Sequence, residues 1–180
     1  MNSANLQIQK LEANLARLQA RVPDLPLSSV LLCRLIQHLG RGLTSMLEHD
    51  IRPFGLTEVE FRVLTTLFSQ PDGVAHPTDL CAKTSQSPAN MSRISDALVT
   101  RDLITRVSSV HDRRKMVLRI TEQGEELVRR LLPMLGGPLR EMFRDFSEGE
   151  QQALIDQLKR LGEKLGEALA QHTPIAERLE

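Results

Sequence analysis

The chain has 180 residues, enough for one domain of ordinary size or one small domain with helical arms, so two independent folding units are not expected. Its 23 Lys and Arg residues balance 23 Asp and Glu residues, which excludes a globally basic binder of polyanions. A composition of 41% hydrophobic and 26% charged residues predicts a folded protein, whereas five Phe without Trp or Tyr argue against proteins that stack single-stranded bases on aromatic rings.

Several other classes of protein are disfavoured by what the sequence lacks. No apolar run reaches the roughly 20 residues of a membrane-spanning helix, and the N-terminus does not resemble a signal peptide, so we expect a cytoplasmic protein without a membrane partner. The scattered histidines form no HExxH motif, and neither a phosphate-binding glycine loop nor Gly-x-Ser-x-Gly is present, so we expect no enzyme. Cys33 and Cys81 are too few for a disulfide framework or a four-cysteine zinc site; both are expected to be buried apolar residues, and neither metal nor cofactor is expected.

The apolar spacing within residues 1–27 predicts an N-terminal helical arm. Its apolar residues are spaced three and four apart, as in a helix that packs along a partner helix. They are Ile8, Leu11, Leu15, Leu18 and Val22, followed by Pro23 and Pro26 as helix-ending residues. Residues 28–56 predict a dimerisation and linker helix, capped by Ser28 and Ser29, with leucines four apart from Leu31 to Leu47.

Residues 57–121 predict a winged helix-turn-helix lobe. Thr57 and Glu60 form a capping box before a helix, and a shorter helix follows from Thr78 to about Thr84. After a polar turn, Ser87 caps another helix with Pro88 at its first position. The periodicity then alternates, which predicts strands at 103–107 and 115–120. A helix-turn-helix followed by a hairpin is a winged helix, and the expected fold class is mainly α with this α/β wing.

Residues 122–180 predict C-terminal dimerisation helices. Thr121 caps the first, which we expect to be interrupted at Pro133 and again over 136–138. Ser147 and Glu150 form a second capping box, and the last helix again has leucines at heptad spacing. Both chain ends therefore carry apolar stripes that seek a partner helix.

The charges are segregated along the neutral chain. Between Lys83 and Arg119, eight Lys and Arg residues and three Asp residues give a net charge of plus five, so the remainder carries minus five. A basic segment of this kind is typical of double-stranded DNA binding. One alternative is a solvated charged face with no partner. Another is a protein-binding module that does not bind DNA specifically, and its association with DNA would show almost no salt dependence.

The helix that begins after Ser87 is the predicted recognition helix. With Met91, Ile94 and Leu98 inward, the helical period turns Ser92 and Arg93 outward, where small residues let the helix enter the major groove and Arg93 can reach guanine or phosphate. Ser87 and Asn90 lie at the helix start and can bind phosphate or a base edge, although Ser87 can equally be a plain N-cap. Asp96 is expected to pair with a neighbouring Arg.

The turn of the predicted wing carries three adjacent cations, Arg113, Arg114 and Lys115. An extended guanidinium suits the narrow minor groove of an A/T-rich stretch. Asp112 precedes the cations, and its carboxylate is expected to hold one Arg through a charge-assisted hydrogen bond.

The run Asp112-Arg113-Arg114 followed by Val117-Leu118-Arg119-Ile120-Thr121 and Gly124 resembles the wing motif of the MarR family of multiple-antibiotic-resistance regulators, and 87–98 is similar to its recognition helix. The N-terminal extension looks most like the EmrR (MprA) branch, repressors of multidrug-efflux genes. The resemblance implies a homodimer joined through both chain ends, with Arg114 in the minor groove and Asp112 holding it. Asp102 departs from the pattern, because the family usually has Gly there.

The resemblance also implies release of DNA by a small phenolic or lipophilic anion bound between the dimerisation helices and the DNA-binding lobe. Arg34, His38, Thr65 and Phe68 are the candidate ligand residues, because a cation or imidazole beside apolar walls suits an aromatic acid. His38 as an ordinary structural histidine is an alternative. A redox-sensing regulator that uses Cys33 or Cys81 is a second hypothesis on the same scaffold.

Overall fold

The computed structural model of the chain describes residues 3–108 and 116–171. In this part of the chain seven α-helices, one 3-10 helix and three short strands follow one another. They are α1 (Ser3–Arg21), α2 (Leu27–Ile51), the 3-10 helix (Arg52–Phe54), α3 (Glu58–Phe68), β1 (Val74–Ala75), α4 (Pro77–Thr84), α5 (Pro88–Thr100), β2 (Ile104–Ser108), β3 (Met116–Ile120), α6 (Glu122–Met142) and α7 (Glu148–Ala170). The predicted fold class, a mainly helical winged helix, is confirmed.

The two N-terminal helices pack against each other. The apolar spacing of α1 predicts a partner helix without specifying which one. α1 ends at Arg21, before Pro23, and Leu15 is its buried residue. The predicted cap of α2 is wrong: the helix begins at Leu27, its N-cap is Pro26, and no side chain caps it. Proline is favoured at helix starts because it lacks the amide hydrogen that would be left unpaired there, so α2 can begin before either serine.

The capping box that opens α3 forms as predicted. The backbone amide and the hydroxyl of Thr57 both donate to the Glu60 carboxylate, at 2.8 and 2.9 Å, and the Glu60 amide donates to the Thr57 hydroxyl at 3.3 Å. Glu60 is only 9% exposed, so this buried carboxylate has its partners within one helical turn. The box fixes where α3 begins and directs Phe61 and Leu64 into the core.

The sheet is antiparallel with the order β1-β3-β2. β2 and β3 form the predicted hairpin in a register that pairs Ile104 with Ile120 and Ser108 with Met116, and both strands begin one residue later than the alternation predicts. β1, whose Val74 pairs with Arg119, has no counterpart among the sequence predictions because two residues are too few to establish an alternating pattern.

α5 ends in a Schellman motif, in which Leu103 donates its amide to Leu98 at 3.0 Å and Asp102 donates to Val99 at 2.9 Å. The motif requires a left-handed residue, and Asp102 has a φ of 55° at the position where the family usually has Gly. Aspartate is one of the few non-glycine residues that adopt this conformation. The turn between the recognition helix and the wing is therefore formed with Asp in place of Gly.

α6 begins as predicted, with the Gly124 amide donating to the Thr121 hydroxyl at 3.1 Å. The predicted interruptions at Pro133 and over 136–138 are wrong, because both Pro133 and Pro138 lie inside one continuous helix. Both prolines are exposed, so water can hydrogen-bond the carbonyl groups that lose an amide partner. The Ser147–Glu150 capping box that starts α7 forms as predicted.

Two compact units divide the chain, residues 1–132 and 133–180. In the first unit, the sheet and the helices from α3 onward surround one core; its largest fully buried side chains are Ile51, Leu64, Leu67, Leu80, Met91, Leu98, Ile104 and Leu131. In the second, α7 contains no buried residue. None of the described helices has the length and apolar character required to span a bilayer, and within 3–108 and 116–171 no group of three His, Cys, Asp or Glu side chains could hold a metal ion.

Candidate nucleic-acid interface

The start of α5 is built by a short turn and a side-chain cap. Ser85 ends α4 in a left-handed conformation, with a φ of 55°, and reverses the chain. The Ser87 hydroxyl accepts a hydrogen bond from the backbone amide of Asn90 at 3.3 Å, and Pro88 occupies the first turn. The Asn90 side chain donates to Gln86 at 2.5 Å. The plain N-cap role of Ser87 is therefore present, and it leaves the hydroxyl proton able to donate to another acceptor.

The inner face of α5 fixes the rotation of the helix about its axis. Met91, Ile94 and Leu98 are buried, as predicted. Ser95 is also buried, and its hydroxyl donates to the Met91 carbonyl at 2.7 Å, so this polar group is satisfied within the helix. With four residues held inward, the helix cannot turn without exposing apolar surface.

The outer face of α5 presents the residues predicted to contact DNA. Ser87, Asn90, Ser92 and Arg93 are all exposed. Ala89 and Ser92 share this face with Arg93, and their small side chains keep the surface low enough for the backbone to approach a groove. The structure gives the positions of these residues, and their contact with DNA stays a prediction.

Asp96 forms the ion pair expected of it, and its partner is Arg106 on β2. The guanidinium and carboxylate lie 2.6 Å apart, with both side chains substantially exposed. This contact ties the outer edge of the recognition helix to the wing. Arg106 is not among the residues that the sequence singles out; its place at an outward position of an alternating strand, ten residues after a carboxylate on the helix, is the signal that could have found it.

The base of the wing is described, and its tip is not. Asp112, Arg113, Arg114 and Lys115 lie outside the described residues. At the base, Arg119 on β3 is exposed and donates to the Asp72 carbonyl at 3.4 Å. Arg119 and Lys83 border a cavity of about 210 Å³ beside β1, together with Asp72, His76 and Asp79.

The four candidate ligand residues lie on two helices. Arg34 and His38 are one turn apart on α2, exposed and half-buried respectively. The depression at Arg34 is lined only by neighbours on α2, namely Ser29, Val30, Cys33 and Gln37. On α3, the Thr65 hydroxyl donates to the Phe61 and Arg62 carbonyls at 3.0 and 3.1 Å.

Phe68, on the same helix as Thr65, has a cation over its ring. The Arg129 guanidinium of α6 lies 5.7 Å from the ring centroid. Arg129 places a guanidinium beside an aromatic wall, where it is also ion-paired with Glu125 at 3.0 Å. The sequence did not point to Arg129 because 61 residues separate it from Phe68 in the chain. The role of all these residues in ligand binding stays a prediction.

Neither cysteine meets the expectation of burial. Cys33 is exposed and Cys81 is half-buried. The expectation for Cys33 is wrong because its position on α2 lies on the surface of the chain rather than among the core residues of the lobe. Cys81 lines an apolar cavity of about 300 Å³ between α4, α5 and the sheet, together with Met91, Arg106 and Leu118.

A short helix, a three-residue turn, a capped second helix and a hairpin define a winged-helix protein, the class in which the second helix enters the major groove. A model of the MarR family matches residues 54–115. The transcriptional repressor MprA of Escherichia coli K12 is 33% identical over 146 residues, which cover 81% of this chain and 81% of that protein. The chain belongs to the MarR family of winged-helix transcriptional regulators.

Solved structures agree with this assignment. AbsC, a MarR family transcriptional regulator from Streptomyces coelicolor, superposes with a TM-score of 0.67 at 29% identity, covering 76% of this chain and 94% of AbsC. A cysteine-to-serine mutant of MarR from E. coli, complexed with operator DNA, superposes with a TM-score of 0.66 over 77% of this chain and 98% of that one. At 22% identity the MarR complex bears on the fold alone.

Proposed function

We propose that this protein is a homodimeric repressor that binds a pseudo-palindromic operator through α5 and the wing. The observation that carries the proposal is the division of α5 into two faces: Met91, Ile94 and Leu98 are locked in the core, while Ser92 and Arg93 are exposed on the outer face. A recognition helix needs this arrangement because its base-contacting residues must be held at a fixed angle.

The major-groove part of the interface consists of four residues. Ser87 and Asn90 stand at the positive end of the α5 dipole, where a phosphate oxygen is stabilised by amide groups and by the serine hydroxyl. Arg93 can donate two hydrogen bonds to one guanine, and Ser92 can donate or accept at a base edge. Asp96 is kept from repelling phosphate by its ion pair with Arg106.

The minor-groove part is the wing tip. Arg114 enters the groove, Asp112 holds its guanidinium, and Arg113 and Lys115 bind the flanking phosphates. These roles rest on the family resemblance of the tip and on the attraction of guanidinium groups to narrow A/T-rich grooves.

Single substitutions test the major-groove and the minor-groove parts of the interface. The operator for these measurements is isolated from the genomic DNA fragments that the protein retains. Arg93→Ala and Arg114→Ala should each cost about 1–3 kcal/mol in operator binding, and a lost phosphate contact should also lower the slope of log Kd against log salt by about one. Arg62→Ala is the control, because Arg62 is an exposed residue of α3 paired with Glu58. Unchanged affinity in both variants would exclude this interface.

The homodimer is supported by apolar side chains that the single chain leaves in water. On α7, Leu154, Leu158 and Leu161 are 44–47% exposed at heptad spacing. A contiguous apolar patch of this kind marks an association surface. In a symmetric dimer the two recognition helices would reach half-sites about one helical turn, roughly 34 Å, apart.

An aromatic acid or phenolic ligand is the proposed effector, bound near Arg34, His38, Thr65 and Phe68. The cation of Arg129 above the Phe68 ring supports this choice, because a carboxylate or phenolate there gains a positive partner beside an aromatic surface. By similarity to MprA, genes for multidrug efflux or for handling aromatic compounds are the proposed targets. Salicylate and lipophilic uncouplers should weaken operator binding, and Phe68→Leu should reduce that response; no effect of either class on operator affinity would exclude this effector chemistry.

Redox sensing at Cys33 is a second candidate function, favoured by the exposure of this thiol beside Arg34. Peroxide should then release DNA from the wild type and not from Cys33→Ser, with a sulfenate or disulfide detected by mass spectrometry. Release of DNA from both proteins would show that the peroxide effect does not depend on Cys33.

A further inference from the structure

Three consecutive residues after the recognition helix contact two other segments of the same unit. Arg101 is the residue that ends α5, and its guanidinium reaches back across 47 residues of sequence. Its two terminal nitrogens donate to the carbonyl of Phe54 at 2.8 Å and to the carbonyl of Gly55 at 2.6 Å. One side chain thus binds two successive carbonyl groups.

These carbonyl groups belong to the turn that follows α2. Phe54 ends the 3-10 helix that extends α2, and Gly55, with a φ of 67°, turns the chain toward α3. Hydrogen bonds from a charged guanidinium are stronger than neutral ones, and the planar fork of Arg fits two adjacent acceptors at once. Among the described residues, no other hydrogen bond joins α5 or its last residue to the turn after α2.

The next two residues bind the start of α6. The Thr121 hydroxyl donates to the Asp102 carbonyl at 2.6 Å, and the Thr121 amide donates to the Leu103 carbonyl at 3.1 Å. Gly124 approaches the Leu103 carbonyl so closely that a Cβ atom would collide with it. The end of α5 is therefore attached on one side to the end of α2 and on the other to the start of α6.

We propose that Arg101 is a positioning residue for DNA binding: it joins the end of the recognition helix to the end of α2, so that a displacement of α2 is passed to α5. The inference rests on the proposed DNA-binding function. α2 and α6 lie in the two regions predicted to form dimerisation helices, and residues 101–103 contact the end of α2's 3-10 extension and the start of α6. Arg101 transmits the position of α2, and Thr121 with Gly124 transmits that of α6.

The direction of the Arg101 side chain separates this role from a DNA contact. Its guanidinium is engaged by protein carbonyls, and Arg101 is half-buried, whereas Arg93 is exposed on the outer face of α5. A residue that binds phosphate releases counterions and contributes to the salt dependence of affinity, while a residue that only positions the helix does not. The two roles therefore predict different salt slopes.

Operator affinity of the full chain at several salt concentrations tests the proposal. Arg101→Lys keeps the charge but replaces the fork by a compact ammonium group, and Arg101→Met keeps the apolar stem without any donor. We expect Arg101→Met to weaken operator binding about tenfold, or about 1.4 kcal/mol, and Arg101→Lys to lie between it and the wild type, both with the wild-type salt slope. The control Arg62→Met removes the same charge from an exposed site of α3 and should bind as the wild type does.

Hydrogen exchange in the free protein provides a readout that needs no DNA. In Arg101→Met the amides of Asp102 and Leu103, which close the Schellman motif, should exchange faster than in the wild type and in Arg62→Met, while the α3 amides stay protected. Unchanged exchange together with unchanged affinity would overturn the proposal, as would a salt slope lowered in Arg101→Met but not in Arg62→Met. If wild-type protein binds no operator, the proposed function fails instead, and exchange alone decides whether Arg101 holds the end of α5.

Discussion

The winged-helix lobe and the last helix of the chain carry similar apolar patterns and bury them differently. Among the described residues, every buried hydrophobic residue except Leu15 lies between Ile51 and Leu131, on the elements from the end of α2 to α6. α7 has leucines at regular helical spacing, yet none of its residues is buried. The same periodicity therefore produces a closed core in one region and an exposed stripe in the other. In the proposed dimer, a lobe complete within one chain is joined to helices that a second copy completes.

The largest effect is expected from a charge in the exposed stripe. In Leu161→Glu each subunit of a symmetric dimer loses a leucine worth about 1.5–3 kcal/mol when buried, so the dimer dissociation constant should rise by at least about 100-fold. Sedimentation equilibrium measures this constant. Glu163→Ala, on the opposite side of α7, should leave it unchanged. A Leu161→Glu protein that remains dimeric at the wild-type concentration would show that α7 is not the interface.

In the buried region between Ile51 and Leu131, a substitution should instead lower the folding stability. Gly124→Ala places a methyl group against the Leu103 carbonyl and the Ile120 side chain, and overpacking of this kind costs about 1–3 kcal/mol. Urea denaturation followed by circular dichroism measures the loss. Gly137→Ala, in open space on the same helix, should be neutral or slightly stabilising. Equal stability of the two variants would mean that the start of α6 does not need its close approach to residue 103.

A smaller change in the free energy of unfolding is expected when the capping boxes at the starts of α3 and α7 are removed. Thr57→Ala should lower the free energy of unfolding by about 0.5–2 kcal/mol, because the buried Glu60 carboxylate loses its hydroxyl donor and α3 loses its cap. Ser147→Ala removes the equivalent box from α7, where the partners are exposed, so its effect should be the smaller one. Denaturation of both variants under one condition tests the order, and a reversed order would contradict the contrast in burial.

The smallest effect is the pH dependence of the α7 box. Hydrogen bonds from the Ser147 hydroxyl and amide lower the pKa of Glu150 below its ordinary value. A carboxyl group with a lowered pKa stabilises the fold above its unfolded pKa, and that contribution disappears as the pH falls through the folded pKa. Acid titration of α7 helicity should thus show a small step below the ordinary glutamate range in the wild type. In Glu150→Gln the step should be absent, and its persistence would assign it to another carboxyl group.

Local features could be predicted where each depends on residues that are near one another in the sequence. The two capping boxes, the inward positions of α5 and the pairing of β2 with β3 follow from neighbouring side chains and from alternation. The predictions failed where the residues nearby in the sequence did not decide the structure. Pro133 and Pro138 were predicted to break α6, but exposed prolines can be accommodated when water replaces the lost amide partner. Cys33 was expected to be buried on the average behaviour of its residue type, and α2 exposes it.

By itself the sequence determined the class of the protein, the order of its helices and of the two hairpin strands, the net charge of plus five on residues 83–119, and which residues face outward from α5. Only the tertiary structure decided the partners of Asp96 and Arg101, the pairing of β1 with β3, and the cation above Phe68. The reason is physical. Capping and periodicity act over one to four residues, whereas these contacts join residues from ten to more than sixty positions apart and exist only when the core has brought their elements together.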